Sequence, residues 1–380
     1  MFRALREAFS YELVSIKDST YKLFLITLLP LISFALIIAI FYEGVVHDMP
    51  IAVVDNDKSK LSRQLLFNIE SSPTIKIVYN ADSLKEAMDL LQRGEVYGIV
   101  TIPEYFLKNT LLDKQPHITA MLNTQYILIG KILTAALSAT LMHSASQVDY
   151  VETLARVQNP QESLNVVAPI GLQVTPFFNT YQNYFLFLVS ALLPAIWQIF
   201  IVITTLVAVG SLFKSKSEQL FFSDKYVGAR LIGMMIPYTA AFMFLGLLYL
   251  FYIYGTLGWN FEGSFSVMMF GMFLTTVAYQ GVALLLFITG FDYARSLSLG
   301  AVYTAPAFAF LGVTFPIFNM NGFALFWRDM LPISHLVSLQ ISQANYGSDI
   351  FLEVDKLLTL FTFWIVFVPV IFAFKKRLKV

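Results

Sequence analysis

Apolar and polar residues divide this chain into stretches of two kinds. Long apolar runs fall at 21–42, 183–209, 231–255, 265–289, 297–318 and 357–374. A helix needs about 20 apolar residues to cross roughly 30 Å of hydrocarbon, so each run predicts a transmembrane helix. Pro30, Pro194, Pro237, Pro306 and Pro316 lie in or near them. Such helices tolerate proline because neighbours re-satisfy the freed backbone groups.

Between the first and second runs the pattern changes to that of a soluble α/β domain. Ile51–Val54 reads as a buried strand, and Asp55, Asp57 and Ser59 supply turn and cap chemistry for a helix to Glu70. Ile75–Tyr79 is a second strand, and Asp82 or Ser83 caps a helix ending near Gly94. Val96–Ile102 is a third strand, Pro103 opens a helix at its first position, and His117–Leu122 is a fourth strand. A long helix follows from Ile127 to Val157, stopped by Asn159-Pro160, and 165–174 returns as a strand. Strands alternating with helices imply crossover units and a largely parallel sheet. The expected fold is a polytopic α-helical membrane protein: six transmembrane helices, with an extracytoplasmic α/β domain inserted between helices 1 and 2.

At the other end of the pattern, residues 2–18 carry Phe2, Leu5, Phe9, Leu13 and Ile16 at spacings of three and four, with charges between. This is an amphipathic helix suited to the membrane surface. The loop 211–230 is short, polar and basic, yet holds Leu220, Phe221 and Phe222, which need cover from lipid or a partner. The segment 319–350 is too apolar for an exposed loop and reads as an outer re-entrant or interfacial hairpin.

Composition agrees with the membrane class. The chain is 57% hydrophobic and 13% charged, about half the charge of a soluble domain. Its net charge of zero implies no nucleic-acid partner. It has no Cys, which removes disulfides and thiolate chemistry. Glu7, Glu12 and Asp18 precede the first run without a cleavage site after it, so that run is expected to stay as an anchor. Thirteen Lys and Arg flank one set of span ends, from Arg3 to Lys379, against only Arg328 and Lys356 on the other. By the positive-inside rule both termini are cytoplasmic, with 1–20 and the basic tail 375–380 inside and 43–180 outside.

Candidate chemistry is sparse. Neither G-x-x-x-x-G-K-[ST] nor G-x-G-x-x-G occurs. His47, His117, His143 and His335 are scattered without metal spacing, and Ser59 and Ser62 lack a nucleophile elbow. Asp55 and Asp57 fit helix capping better than a metal loop. No Asp, Glu, Lys or Arg lies in the middle of a span, whereas ion-coupled carriers place ionisable groups there. Energy for transport would therefore come from another chain.

The order of these features resembles a known family. The residues are Ile51-Ala-Val-Val-Asp55 with Ser59, Leu61 and Ser62; Gly94-Glu-Val-Tyr-Gly98 and Val100-Thr-Ile-Pro103-Glu-Tyr-Phe106; and Gly312-Val-Thr-Phe-Pro316 with Leu331-Pro-Ile-Ser-His335. The chain resembles the permease subunit of type-2 ATP-binding-cassette (ABC) exporters, in the subgroup with a large extracytoplasmic insert. The resemblance covers essentially the whole chain. It implies a non-catalytic permease in the bacterial cytoplasmic (inner) membrane, exporting an amphiphilic or hydrophobic substrate by alternating access. No cofactor is expected on this chain, since ATP and Mg would sit on a separate cytoplasmic ABC ATPase. A second permease chain, identical or not, would complete the pathway within the lipid bilayer, and a periplasmic adaptor could join the outer domain. Phe2, Leu5, Phe9 and Leu13 would belong to the connecting helix. Lys214, Lys216, Glu218, Leu220, Phe221 and Phe222 would contact the ATPase, with the two phenylalanines as the covered apolar centre. Family members often show an Arg-Glu and Gly-Thr-Glu pattern in this loop, and only Glu218 matches it. The competing reading is a membrane-anchored assembly or receptor protein with a similar outer domain and no transport.

Overall fold

The computed structural model describes residues 1–112, 114–157, 178–179, 183–222 and 226–378, and within 148–157 the backbone alone. The stop expected at Asn159-Pro160, the strand expected at 165–174, residues 223–225 of the basic loop and residues 379–380 lie outside the described residues. The chain divides into two compact units, Met1–Gly44 with Pro176–Val380, and Val45–Thr175.

In the second unit the strands are β1 (Met49–Asp55), β2 (Ile75–Asn80), β3 (Gly98–Ile102) and β4 (Thr119–Leu122), in the order β2-β1-β3-β4. β1 pairs in parallel with β2 and β3, while β4 runs antiparallel to β3. Side chains alternate across a strand, so β1 serves two cores. Ile51 and Val53 face a core completed by Leu65 and Ile69 of α4 (Lys60–Glu70) and by Leu133 and Leu137 of α7 (Ile127–Val157). Ala52 and Val54 face Ala87 and Leu90 of α5 (Leu84–Gln92).

Asp55 ties the turn after β1, accepting from the Asp57 and Lys58 amides at 3.1 and 2.9 Å and from Ser62 Oγ at 2.7 Å. Ser59 caps α4 through the Ser62 amide and Ser83 caps α5 through the Glu86 amide. Pro103 does not open a helix. The next helix, α6 (Phe106–Leu111), starts three residues later, after Tyr105 at φ 60°. Its start is set by Asp57, whose carboxylate accepts from the Leu107 amide at 3.1 Å. The Ser59 hydroxyl, with the Leu107 amide, holds the Asp57 carboxyl below the usual carboxylate range.

Six helices among the described residues are long and apolar enough to cross a membrane: Thr20–Phe41, Ile127–Gln147, Tyr184–Lys214, Val227–Thr256, Phe265–Ile288 and Ile350–Leu378. The expected span at 297–318 is not one of them. That stretch breaks into a 12-residue helix, Tyr293–Thr304, and a turn of helix at Ala307–Phe310. Pro306 cannot continue the first piece, and Gly312 at φ 83° turns the chain away from the second. Ile127–Gln147 belongs to α7, whose Leu133 and Leu137 are buried against the sheet.

In the first unit the N-terminal segment forms α1 (Phe2–Asp18), α2 (Thr20–Ile26) and α3 (Leu28–Phe41). The centre is α8 (Tyr184–Lys214), buried along nearly its whole length. A four-residue turn of helix, α9 (Glu218–Phe221), leads to α10 (Val227–Leu250), which continues as π-helical turns through Phe251–Thr256. Then come α11 (Phe265–Ile288), α12 (Tyr293–Thr304), α13 (Ala307–Phe310), α14 (Gly322–Asp329), α15 (Pro332–Tyr346), α16 (Ile350–Thr362) and α17 (Phe367–Leu378). Trp197 of α8 fixes the α8–α10 contact by donating from Nε1 to the Phe242 carbonyl at 2.9 Å.

Candidate functional site

The residues expected to couple the membrane helices to a partner lie on α1, the 211–230 loop and the start of α10. α1 is docked along α10 by three contacts. Glu7 accepts from Arg230 at 3.1 Å, and Arg3 with Arg230 holds the Glu7 carboxyl below its usual range. Gly233 sits directly against α1, where a Cβ would collide with the Leu5 carbonyl oxygen. Glu12 accepts from the Tyr238 hydroxyl at 2.6 Å.

Glu12 also binds Lys22 of α2 at 2.7 Å, and Lys22 reaches Ser15 Oγ at 2.8 Å. Both charges of this pair are buried, and Glu12 Oε2 has no partner. Taking two charges from water is costly unless they meet each other and further donors. Here they join α1, α2 and α10 at one point.

The buried face of α1 is Ala4, Ala8, Glu12 and Ile16. At 3.6 residues per turn it is rotated by about 80° from the apolar arc read in the sequence. Phe2 and Leu13 are exposed and Leu5 and Phe9 half-buried. The small residues Ala4 and Ala8 let α1 approach α10 closely, which leaves the larger apolar side chains facing away from it.

The family model of the ABC-2 family transporter protein matches residues 22–374. The chain belongs to this ABC-2 transporter family. It is thus a multi-pass membrane subunit of an ABC transporter, of the kind that partners an ABC ATPase. No curated protein matches the sequence.

In this ABC-2 subunit the basic loop is organised differently from its sequence pattern. Phe221 and Phe222 do not form an open apolar contact, being only 7% and 0% exposed. Their cover comes from this same chain. Phe222 packs on Phe374 of α17 at 5.4 Å, and Phe221 packs on Tyr11 of α1 at 5.0 Å. The Arg230 guanidinium stands 5.9 Å from the Phe221 ring. The two rings thus anchor the loop to α1 and α17. Leu220 is the reverse case, 82% exposed beside them.

Lys214 and Lys216 are exposed, with Lys214 Nζ lying 5.9 Å over the Tyr293 ring and Lys216 in the left-handed region at φ 55°. Glu218 is half-buried, with Oε2 enclosed and unpartnered. Among the described residues no cluster of three or more His, Asp or Glu side chains has the geometry to hold a metal. The sequence reading missed Glu12, Lys22, Arg230 and Tyr238. A signal was present: Glu12 interrupts the small-residue face of α1, and Lys22 is the charge just inside the first span.

Proposed function

We propose that this chain is the permease of an ATP-driven exporter that moves an amphiphilic or hydrophobic substrate out of the cytoplasm by alternating access. The observation that supports this reading is the anchored loop: Phe221 and Phe222 fix it to α1 and α17 while Leu220 projects free. A side chain of that kind on a rigid base suits capture by a cytoplasmic ATPase, where ATP and Mg would bind. Force on the loop would pass to α1 and α10 through Arg230 and Glu7, and to α2 through Glu12 and Lys22.

In this reading the termini and the basic loop are cytoplasmic, in the inner membrane of a bacterium, with the broken pair α12 and α13 making the crossing between α11 and α16 as an interrupted helix. The α/β unit is extracytoplasmic, with α7 counted as part of it, since Leu133 and Leu137 pack on the sheet. A second permease chain, identical or different, completes the path, and the α/β unit is free to receive a periplasmic adaptor. The domain limits are 1–20, 21–42, 43–180, 183–374 and 375–380. The test is transport in inverted vesicles holding the chain and its ATPase. ATP should drive accumulation of amphiphilic dyes. Accumulation that follows an imposed proton gradient, and ignores ATP, would overturn the reading.

A further inference from the structure

The stretch from 315 to 330 turns large apolar side chains outward. Phe318, Phe323, Phe326 and Met330 are all exposed. Arg328, on the same short helix α14, is folded inward and only 9% exposed. Its Nη1 meets Asp329 Oδ1 at 3.3 Å, whereas a good charge-assisted bond runs about 2.7–2.9 Å. Arg328 Nε is buried with no acceptor, and so is Nε1 of Trp327. Buried donors are rarely left unpaired, because desolvation is then uncompensated.

These side chains fix the level of α14 in a bilayer. Exposed phenylalanines are unfavourable in water, and Asp329, 60% exposed at its side chain, is unfavourable in hydrocarbon. Both are satisfied at the boundary between the two, where Trp is also enriched. The abundant anion at that depth is the phosphate of a lipid. We propose that α14 carries a binding site for an anionic phospholipid. Arg328 donates to the headgroup phosphate, and an acyl chain lies along Phe323 and Phe326. Asp329 is the competing acceptor, which keeps the guanidinium occupied, though poorly, when lipid is absent. The site rests on the family's membrane embedding alone and is independent of what the protein exports.

The test uses the full chain in an uncharged detergent, titrated with phosphatidylglycerol or phosphatidylcholine and read by native mass spectrometry. The wild-type chain should retain phosphatidylglycerol in preference. Arg328→Gln should reduce that retention about tenfold, the scale of losing a charge-assisted pair. Asp329→Asn should increase it by removing the competitor. Should Arg328→Gln fail to fold, Asp329→Asn decides alone. Equal retention by wild type and either variant would overturn the proposal. So would displacement of the lipid by inorganic phosphate, which would mark a site for soluble anions.

Discussion

Gln340 donates from Nε2 to the Ser190 carbonyl at 3.0 Å, the carbonyl that Pro194 leaves without its helical donor. The same amide binds two tyrosines, accepting from Tyr249 at 3.3 Å and donating to Tyr254 at 3.3 Å. A buried glutamine of α15 thereby repairs the proline break in α8 and ties it to α10. Gln198 acts similarly, donating to the Thr304 carbonyl at 3.4 Å where α12 ends before Pro306. These two glutamines serve the backbone where helices break.

Gln340→Leu leaves a buried carbonyl unpaired and should cost about 1–3 kcal/mol, read as a lower melting temperature in detergent. Pro194→Ala restores the backbone donor to Ser190. In that background Gln340→Leu should cost less than in the parent chain. Equal losses in both would show that Gln340 does not act through the Ser190 carbonyl.

The Glu12–Lys22 pair gives a second expectation. Lys22→Met alone strands a buried carboxylate and should cost about 3–5 kcal/mol. Replacing both, Lys22→Met with Glu12→Leu, should recover part of that stability, although Tyr238 then loses its acceptor. Thermal unfolding of the single and double variants measures the coupling, and simple additivity would contradict it.

Close approach of α1 and α10 depends on Gly233. Gly233→Ala places a methyl against the Leu5 carbonyl and should displace α1, at about 1–3 kcal/mol for overpacking. The chain has no Cys, so Glu7→Cys with Arg230→Cys provides a clean pair for a short bis-maleimide. Crosslinking should be efficient with Gly233 and fall in the Gly233→Ala background. An unchanged yield would mean the two helices tolerate the extra methyl.

The orientation can be read in the same Cys-free background. Lys85→Cys, on the α/β unit, should react with a membrane-impermeant maleimide added to intact cells. Lys214→Cys should react only after the membrane is opened. Labelling of both from outside, or of neither, would overturn the assigned sidedness.

Much of the fold is legible because short-range patterns decide it. Ser59 and Ser83 cap helices within three residues of themselves, and β1 to β4 begin within about two residues of where alternation and turns place them. The stretch 297–318 is broken where mean apolarity predicts one continuous helix, because mean apolarity carries no record of Pro306 and Gly312 acting together. Helix α7 shows the converse: it is apolar enough to span, and only its packing distinguishes a sheet-covering helix. The candidate site is less legible still. Nothing near Phe222 announces Phe374, which lies 152 positions on. The pattern shows that two phenylalanines need cover but not that the chain supplies it. Lys22 likewise looks like a flanking charge until Glu12 meets it.

In the proposed mechanism Leu220 is the free contact of an anchored loop, engaging a separate ATPase. The direct measurement is purification of the full chain, wild type and Leu220→Asp, from native membranes, with the bound ATPase quantified by mass spectrometry. An ABC ATPase should accompany the wild-type chain. It should fall at least about tenfold with Leu220→Asp, the scale of losing a central apolar contact, while membrane insertion stays unchanged. Undiminished ATPase on the Leu220→Asp chain, or none on the wild type, would contradict the account.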